Sequence, residues 1–455
     1  MSDQPPANGF RTFLIVWATQ SVSVFGSALT FFTITIWLTQ TLYPHPEQKP
    51  ELALGLSAIT LAFALPTVFG APIAGAWADR HDRKRTMIAT DFANGVLSVT
   101  LALLMLTQSL NLPILIAMVA ILAMLGAFHY SAFDASYAML VPEKQLPRAN
   151  GMMQTTGALS GIFAPMLAAT LIAMPALARQ GALPLAPLAQ LTDGAPLAIT
   201  IDAITFFIAA ATLIFLTIPS PKRTDLHDAS GAKKSIWADA REGALYIWHR
   251  RPLLWLLGTF TVANFLGSPI GIFLPLVVKF NLIEDWLARG FTFETALALI
   301  TTFGSVGGVA GGILISAWGG LKTRRVYGVV VPMIAQGIAL VLLGLSPFIY
   351  FTAAMAMLAH GVIPILNAHS QAIWQTQTPR ELQGRVFAVR RLIAQFSWPL
   401  STALAGVLGG LFNPGSVIVV MGSLLALFCL AQMFNPFLLR VEDKEWLDGL
   451  AEMSK

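Results

Sequence analysis

The chain is poor in charge. Of its 455 residues only 11% are Asp, Glu, Lys or Arg, where a soluble protein carries about 25%. Half the usual charge cannot coat a water-facing surface, so most of the surface must face lipid. Cysteine is nearly absent too: Cys429 stands alone in an apolar run, which excludes an internal disulfide and a thiolate metal cluster and leaves it a packing role. No Gly-x4-Gly-Lys-Ser/Thr loop occurs to cradle a nucleotide phosphate, and no His-Glu-x-x-His stands ready for metal hydrolysis. ATP drive and membrane-embedded catalysis are therefore disfavoured, and no cofactor or metal is expected. The polar stretch Met1 to Asn8 has no basic n-region or small-residue cleavage site, so the first apolar run is expected to stay in place.

What the chain has is hydrophobicity, 56% of residues with a mean hydropathy of +0.69. A membrane barrel would alternate in segments of about ten residues. Here the apolar runs reach twenty or more, enough to cross ~30 Å of hydrocarbon as helix. The runs predict twelve spans, at 13–41, 52–78, 86–108, 113–140, 151–177, 196–218, 253–279, 294–318, 326–344, 347–370, 386–411 and 415–439. The fold class is all-α integral membrane.

The net charge of +5 and pI near 9.4 do not point to nucleic acid, because the basic residues sit in short loops between apolar runs. Twelve spans put 24 of the 28 Lys and Arg on one side, leaving Lys49, Arg179, Lys279 and Arg289 on the other. By the positive-inside rule both termini are cytoplasmic. The longest cytoplasmic connection, 219–252, separates an N-terminal six-helix bundle (1–218) from a C-terminal bundle and tail (253–455). Within it Trp237, Ala240, Ala244, Leu245 and Trp248 fall at helical spacing, predicting an amphipathic helix on the inner headgroup layer that tethers the halves.

The halves repeat at an offset near 240 residues. Phe25-Gly26-Ser27 in span one matches Leu266-Gly267-Ser268 in span seven. Arg83-Lys84-Arg85 after span two matches Lys322-Thr323-Arg324-Arg325 after span eight, and Pro142-Glu143 after span four matches Pro379-Arg380-Glu381 after span ten. Two pseudo-symmetric bundles can rock about a cleft at mid-bilayer, which favours transport.

The stretch Gly75-Ala-Trp-Ala-Asp79-Arg80-His-Asp82-Arg83-Lys84-Arg85 resembles the loop signature of the major facilitator superfamily. Its Asp-Arg-x-Asp-Arg form, with Asp82 where many members have Gly, looks like the branch of macrolide-efflux and enterobactin-export carriers. So do Trp17 to Ser27, Pro142-Glu143 with Ala149-Asn150, and Pro379 to Val386. The resemblance implies a cytoplasmic gate in which Asp79 faces the first turn of span eleven, with Gly75, Arg80, Arg83 and Arg385 around it and Arg390 and Arg391 as ion partners. Gly157, Gly161 and Pro165 in span five resemble the antiporter signature of drug exporters, with alanines at three places. The simpler reading there is small-residue packing, as it is for Gly304, Gly308 and Gly312 in span eight.

Ionisable groups inside spans are costly and usually functional. Asp91 and Asp134 lie near cytoplasmic span ends and are candidates for gating or proton coupling. His129, one or two turns deeper, could relay a proton with Asp134. Asp202 reads as structural pairing. In the resembling fold spans one, four, seven and ten line the cleft, which puts Gln20, Phe25, His129, Asn264 and His360 ahead of Gln336 as cavity residues.

These features predict a monomeric secondary transporter in the inner cell membrane that exports a hydrophobic or amphiphilic small molecule against protons, with the lipid bilayer as its other partner. An importer or facilitator, and less readily a solute sensor, remain as alternatives.

Overall fold

The structure is a computed structural model that describes residues 8–182, 184, 186–218, 236–379, 382–443, 445–447 and 449. The described residues are helical, with no strand among them. Twelve helical stretches are long and apolar enough to cross a membrane: Gly9–Leu42, Pro46–Ala78, Arg83–Leu106, Leu112–Tyr137, Arg148–Arg179, Ala195–Phe215, Arg251–Phe280, Phe293–Trp318, Tyr327–Leu345, Ile349–Gln377, Gln383–Leu411 and Pro414–Gln432. They are called spans one to twelve. Large apolar side chains lie exposed along nearly all of them, such as Ile73, Ile214, Ile313 and Leu427. In water such a surface would aggregate; in a bilayer it meets acyl chains.

Short polar residues start several spans. Asp82 Oδ1 accepts from the Arg85 amide (2.9 Å), Asn111 Oδ1 from Ile114 (3.0 Å) and Asn413 Oδ1 from Ser416 (3.1 Å). Each satisfies an amide that the helix cannot. Asp82 thus has a capping task that a glycine in its place could not perform.

Two spans are not continuous. Span seven is a helix from Arg251–Gly267 and another from Ile270–Phe280; span ten is Ile349–Gly361 followed by Ile363–Gln377. Pro269 and Pro364 sit at the breaks, where a missing N–H and a fixed φ interrupt the ladder.

The chain divides into two compact units, Met1–Thr224 with Thr292–Thr302, and Asp225–Phe291 with Phe303–Lys455. In the first, span two packs on span four, span three on span six, and span one on spans five and six. In the second, span nine packs on spans ten and twelve, and span seven on spans eleven and twelve. Glycines set the closest approach: a Cβ on Gly337 would come within 2.7 Å of the Gly422 carbonyl, and one on Gly344 within 2.5 Å of that of Gly415. The pairs are seven residues apart on each helix, so spans nine and twelve touch backbone to backbone along two turns.

The span-eight glycines pack in a different register from the one expected. A Cβ on Gly307 or Gly311 would collide with the carbonyl of Met357 or Gly361, whereas Gly308 and Gly312 have nothing within 4 Å. Gly304 does face span ten, beside the His360 ring. The helical repeat puts 304, 307 and 311 on one stripe.

The connection helix, Ile236–Trp248, also differs from expectation. It docks against the start of span eleven: Gly243 lies against the Arg385 carbonyl, Glu242 pairs with Arg385, and the Tyr246 hydroxyl donates to Gln377 O at 2.6 Å. Gly243, Tyr246 and Ile247 are its buried face, and Ala244, Leu245 and Trp248 point out. The side chains of Trp237 and Ala240 lie outside the described residues.

Candidate functional site

In the first unit three of the singled-out residues meet. Asp91 on span three is 1% exposed. Its Oδ1 lies 2.9 Å from His129 Nδ1 on span four, and its Oδ2 accepts from Gln20 Nε2 on span one at 3.0 Å. An acid enclosed among apolar helices is tolerable only when its oxygens are met by donors, and both are. His129 stacks on Phe133, which fixes its ring plane. The cluster ties three helices together through one ionisable pair.

This geometry corrects the pairing of His129 with Asp134. Five residues along a helix turn about 140°, so the two side chains point to different faces. Asp134 is exposed, and Asp91, expected near water, is the enclosed acid. Gln20 is likewise buried in this knot and lines neither of the cavities described below. Phe25 is half-buried on span one.

Span three carries more polar residues on the same side: Asn94 and Ser98 are buried, and Ser98 Oγ donates to Asp202 Oδ2 at 3.3 Å. Thr30 Oγ1 donates to the same oxygen at 2.7 Å. Asp202 therefore joins spans one, three and six, in keeping with structural pairing. The spacing 91, 94, 98 is one helical stripe, a signal in the sequence that marks Asn94 and Ser98 as inward residues.

The loop between spans two and three is fastened rather than free. Arg83 is buried, its Nε donating to Ala78 O (3.3 Å) and its Nη1 to Ala135 O (2.9 Å). Lys84 Nζ caps Ile214 O at 2.9 Å. These cations hold the ends of spans two and six, where carbonyls lack helix partners, and a carbonyl one turn inside the end of the span-four helix. Arg80 is exposed, and a Cβ on Gly75 would meet nothing within 4 Å. The Asp79 side chain lies outside the described residues. In span five Ala164, Pro165, Ala168 and Ala169 are among the buried residues, whereas Gly157 has nothing within 4 Å of a built Cβ and Gly161 is half-buried.

The second unit holds two cavities instead of a knot. One, about 180 Å³, lies at the breaks of spans seven and ten and is lined by Asn264, Gly267, Ser268, Gln336 and His360 among others. Gln336, ranked behind these by its span, shares their cavity. The other, about 280 Å³, shares Phe260, Asn264 and Asn367 with the first and extends to Gln371, Trp374, Arg390 and Arg391. Asn264 is held by its Nδ2 donating to Ala394 O at 3.2 Å, and His360 Nδ1 lies 2.9 Å from Ala356 O. Arg385, expected with the gate, is paired with Glu242 of the connection helix.

The loop after span eight is held by a residue the sequence reading passed over. Leu321 N–H donates to His369 Nε2 at 2.8 Å, and His369 Nδ1 lies 2.7 Å from Ile365 O. Gly319 and Gly320 turn the chain there with φ of +78° and +75°, values that favour glycine.

Twelve lipid-facing spans that turn their few polar groups inward are the build of a solute transporter. The chain belongs to the Major Facilitator Superfamily, whose family model matches residues 16–402. It is 26% identical over 423 residues to macrolide efflux protein A of Streptococcus pyogenes, covering 92% of this chain and 94% of that one. It is 26% identical over 363 residues to the multidrug efflux pump Tap of Mycolicibacterium fortuitum, covering 78% and 81%. Its fold is like that of a bacterial homolog of the human lysosomal transporter Spinster, with a TM-score of 0.61 at 17% identity over 98% of this chain and 96% of that one. The protein is thus a multi-pass membrane transporter of a small molecule, not an enzyme.

Proposed function

We propose that the chain is a proton-driven exporter of a hydrophobic or amphiphilic compound, acting as a monomer in the inner cell membrane with both termini cytoplasmic. Residues 1–218 and 253–455 are its two moving halves and 219–252 their tether. The reading rests on one observation, the enclosed Asp91 carboxylate shared by His129 and Gln20. A proton gained or lost there changes the charge of a buried cluster that joins spans one, three and four. Such a change is costly in low dielectric unless the helices rearrange. A proton can therefore bias the unit between two arrangements, which is what coupling requires. Similarity to macrolide and multidrug efflux proteins supports outward movement of an amphiphile. Asp79, with Gly75, Arg80 and Arg83, remains the proposed cytoplasmic gate, and Asp134 an accessory proton acceptor.

The test is erythromycin uptake into inverted membrane vesicles under an imposed pH gradient. Wild-type uptake is expected to collapse with an uncoupler. Asp91→Asn should lose gradient-driven uptake while still exchanging the drug down its own gradient. Uptake that ignores both the uncoupler and Asp91→Asn would overturn the proton-coupled reading.

A further inference from the structure

The second unit contains a cation that its surroundings orient but do not neutralise. Arg390, half-buried on span eleven, donates from Nη1 to Gln371 Oε1 at 2.8 Å and from Nη2 to Ser370 Oγ at 3.2 Å. Its guanidinium also lies 5.2 Å from the Trp374 ring centroid. All three partners are neutral, and none is an acid. A guanidinium has five N–H donors, so about three are left for the adjoining space. That space is the 280 Å³ cavity, to which Arg391 adds a second positive charge and no lining residue adds a negative one. Among the described residues no carboxylate lies within ion-pair distance of Arg390. The contrast with Arg385, five residues earlier and paired with Glu242, is direct.

The rest of the lining fits one kind of guest. Asn367 and Gln371 offer amide donors beside the guanidinium, while Leu257, Phe260, Trp374 and Phe387 form apolar wall. The smaller cavity continues from the shared Phe260, Asn264 and Asn367 and supplies further length. Together they have the size of small-ligand sites. A positive charge inside a membrane-spanning helix is expensive when uncompensated, and an oxyanion entering the cavity would remove that cost while its tail met the apolar wall.

We propose that this cavity recognises the acidic group of an amphiphilic anion, with Arg390 as its principal anion-binding residue and Arg391 as a weaker second. The inference goes beyond the transport reading by adding an acidic class of guest, and it rests on that reading only for the claim that the bound anion is cargo. The source of the oxyanion is a free amphiphilic acid or a phospholipid headgroup, whose chemistry toward Arg390 is the same.

Equilibrium dialysis of the full chain in phosphatidylcholine nanodiscs, against empty nanodiscs, would compare radiolabelled decanoate with 1-decanol. Wild type is expected to hold decanoate about tenfold tighter, the scale of a charge-assisted pair. Arg390→Gln should erase that preference. Arg390→Lys, which keeps charge but loses the planar fork, should keep part of it, and Arg391→Gln should lower it less. Phosphatidylglycerol nanodiscs that suppress decanoate binding would identify the headgroup as the source; undiminished binding would identify the free acid. Equal affinity for acid and alcohol in wild type, or an unchanged preference in Arg390→Gln, would overturn the proposal. No gradient is present, so failure of proton-driven transport would leave this result standing, and the reverse also holds.

Discussion

Gly26 and Gly267 hold equivalent places in spans one and seven, yet the two halves use them in opposite ways. A Cβ on Gly26 would come within 2.7 Å of Asp202 Oδ1 and 2.6 Å of Thr205 Oγ1. One on Gly267 would find only Gln336 Nε2, 3.8 Å away. Span one is unbroken from Gly9 to Trp37 and is pinned by polar contacts to spans three and six. Span seven breaks at Gly267 and opens on a cavity. The two halves differ: one encloses two acids, Asp91 and Asp202, and the other leaves polar groups facing open space. The first suits a charge-sensing element and the second a recognition element.

The largest effect should come from dismantling the enclosed pair. His129→Leu leaves the Asp91 carboxylate buried with Gln20 alone, and removing one partner of a buried pair costs about 3–5 kcal/mol. Thermal unfolding of purified protein in detergent should show it. His129→Gln, which can still donate, should recover much of the loss. If His129→Leu melts like wild type, the knot does not hold the first unit together.

A smaller effect separates the two glycines. Gly26→Ala forces a methyl against Asp202 and Thr205, an overpacking cost of about 1–3 kcal/mol. Gly267→Ala meets no close atom and should stay within about 0.5 kcal/mol of wild type. Equal melting of the two variants would erase the asymmetry on which the comparison stands.

The spans themselves were legible because lipid demands unbroken apolar length, and every expected span has a helical counterpart within a few residues of its ends except that span two starts earlier, at Pro46, span ten runs on to Gln377 and span twelve stops at Gln432. The breaks in spans seven and ten were not, since hydropathy averages across Pro269 and Pro364. The site was half legible. Residue type and depth singled out Gln20, Asp91, His129, Asn264 and His360, but depth says nothing of rotation, so His129 was matched with Asp134 instead of Asp91. The stripe from Asp91 through Asn94 to Ser98 carried that rotation in plain helical spacing. Resemblance puts Arg390 at the gate, and its place over Trp374 in a cavity depends on helix rotation, which residue type does not carry.

The loops that follow spans one and seven extend the contrast to the far ends of the helices. After span one the His45 amide donates to Gln48 Oε1 at 3.0 Å. After span seven an ion pair fastens the loop: Asp285 accepts from Arg289 Nε at 3.0 Å and from the Ile349 amide at 2.8 Å. The Arg289 hydrogen bond, helped by that amide, keeps the Asp285 carboxyl below its ordinary pKa. A depressed carboxyl contributes stability above its unfolded value, near 3.9, and loses it as pH falls through the folded one. Asp285→Asn should therefore lower Tm only slightly at pH 7, by about 1 °C, because the pair is open to solvent and screened. The difference from wild type should shrink to nothing as the pH drops below that range. A gap that persisted in acid would mean that the shape of the side chain, and not its charge, holds the start of span ten in place.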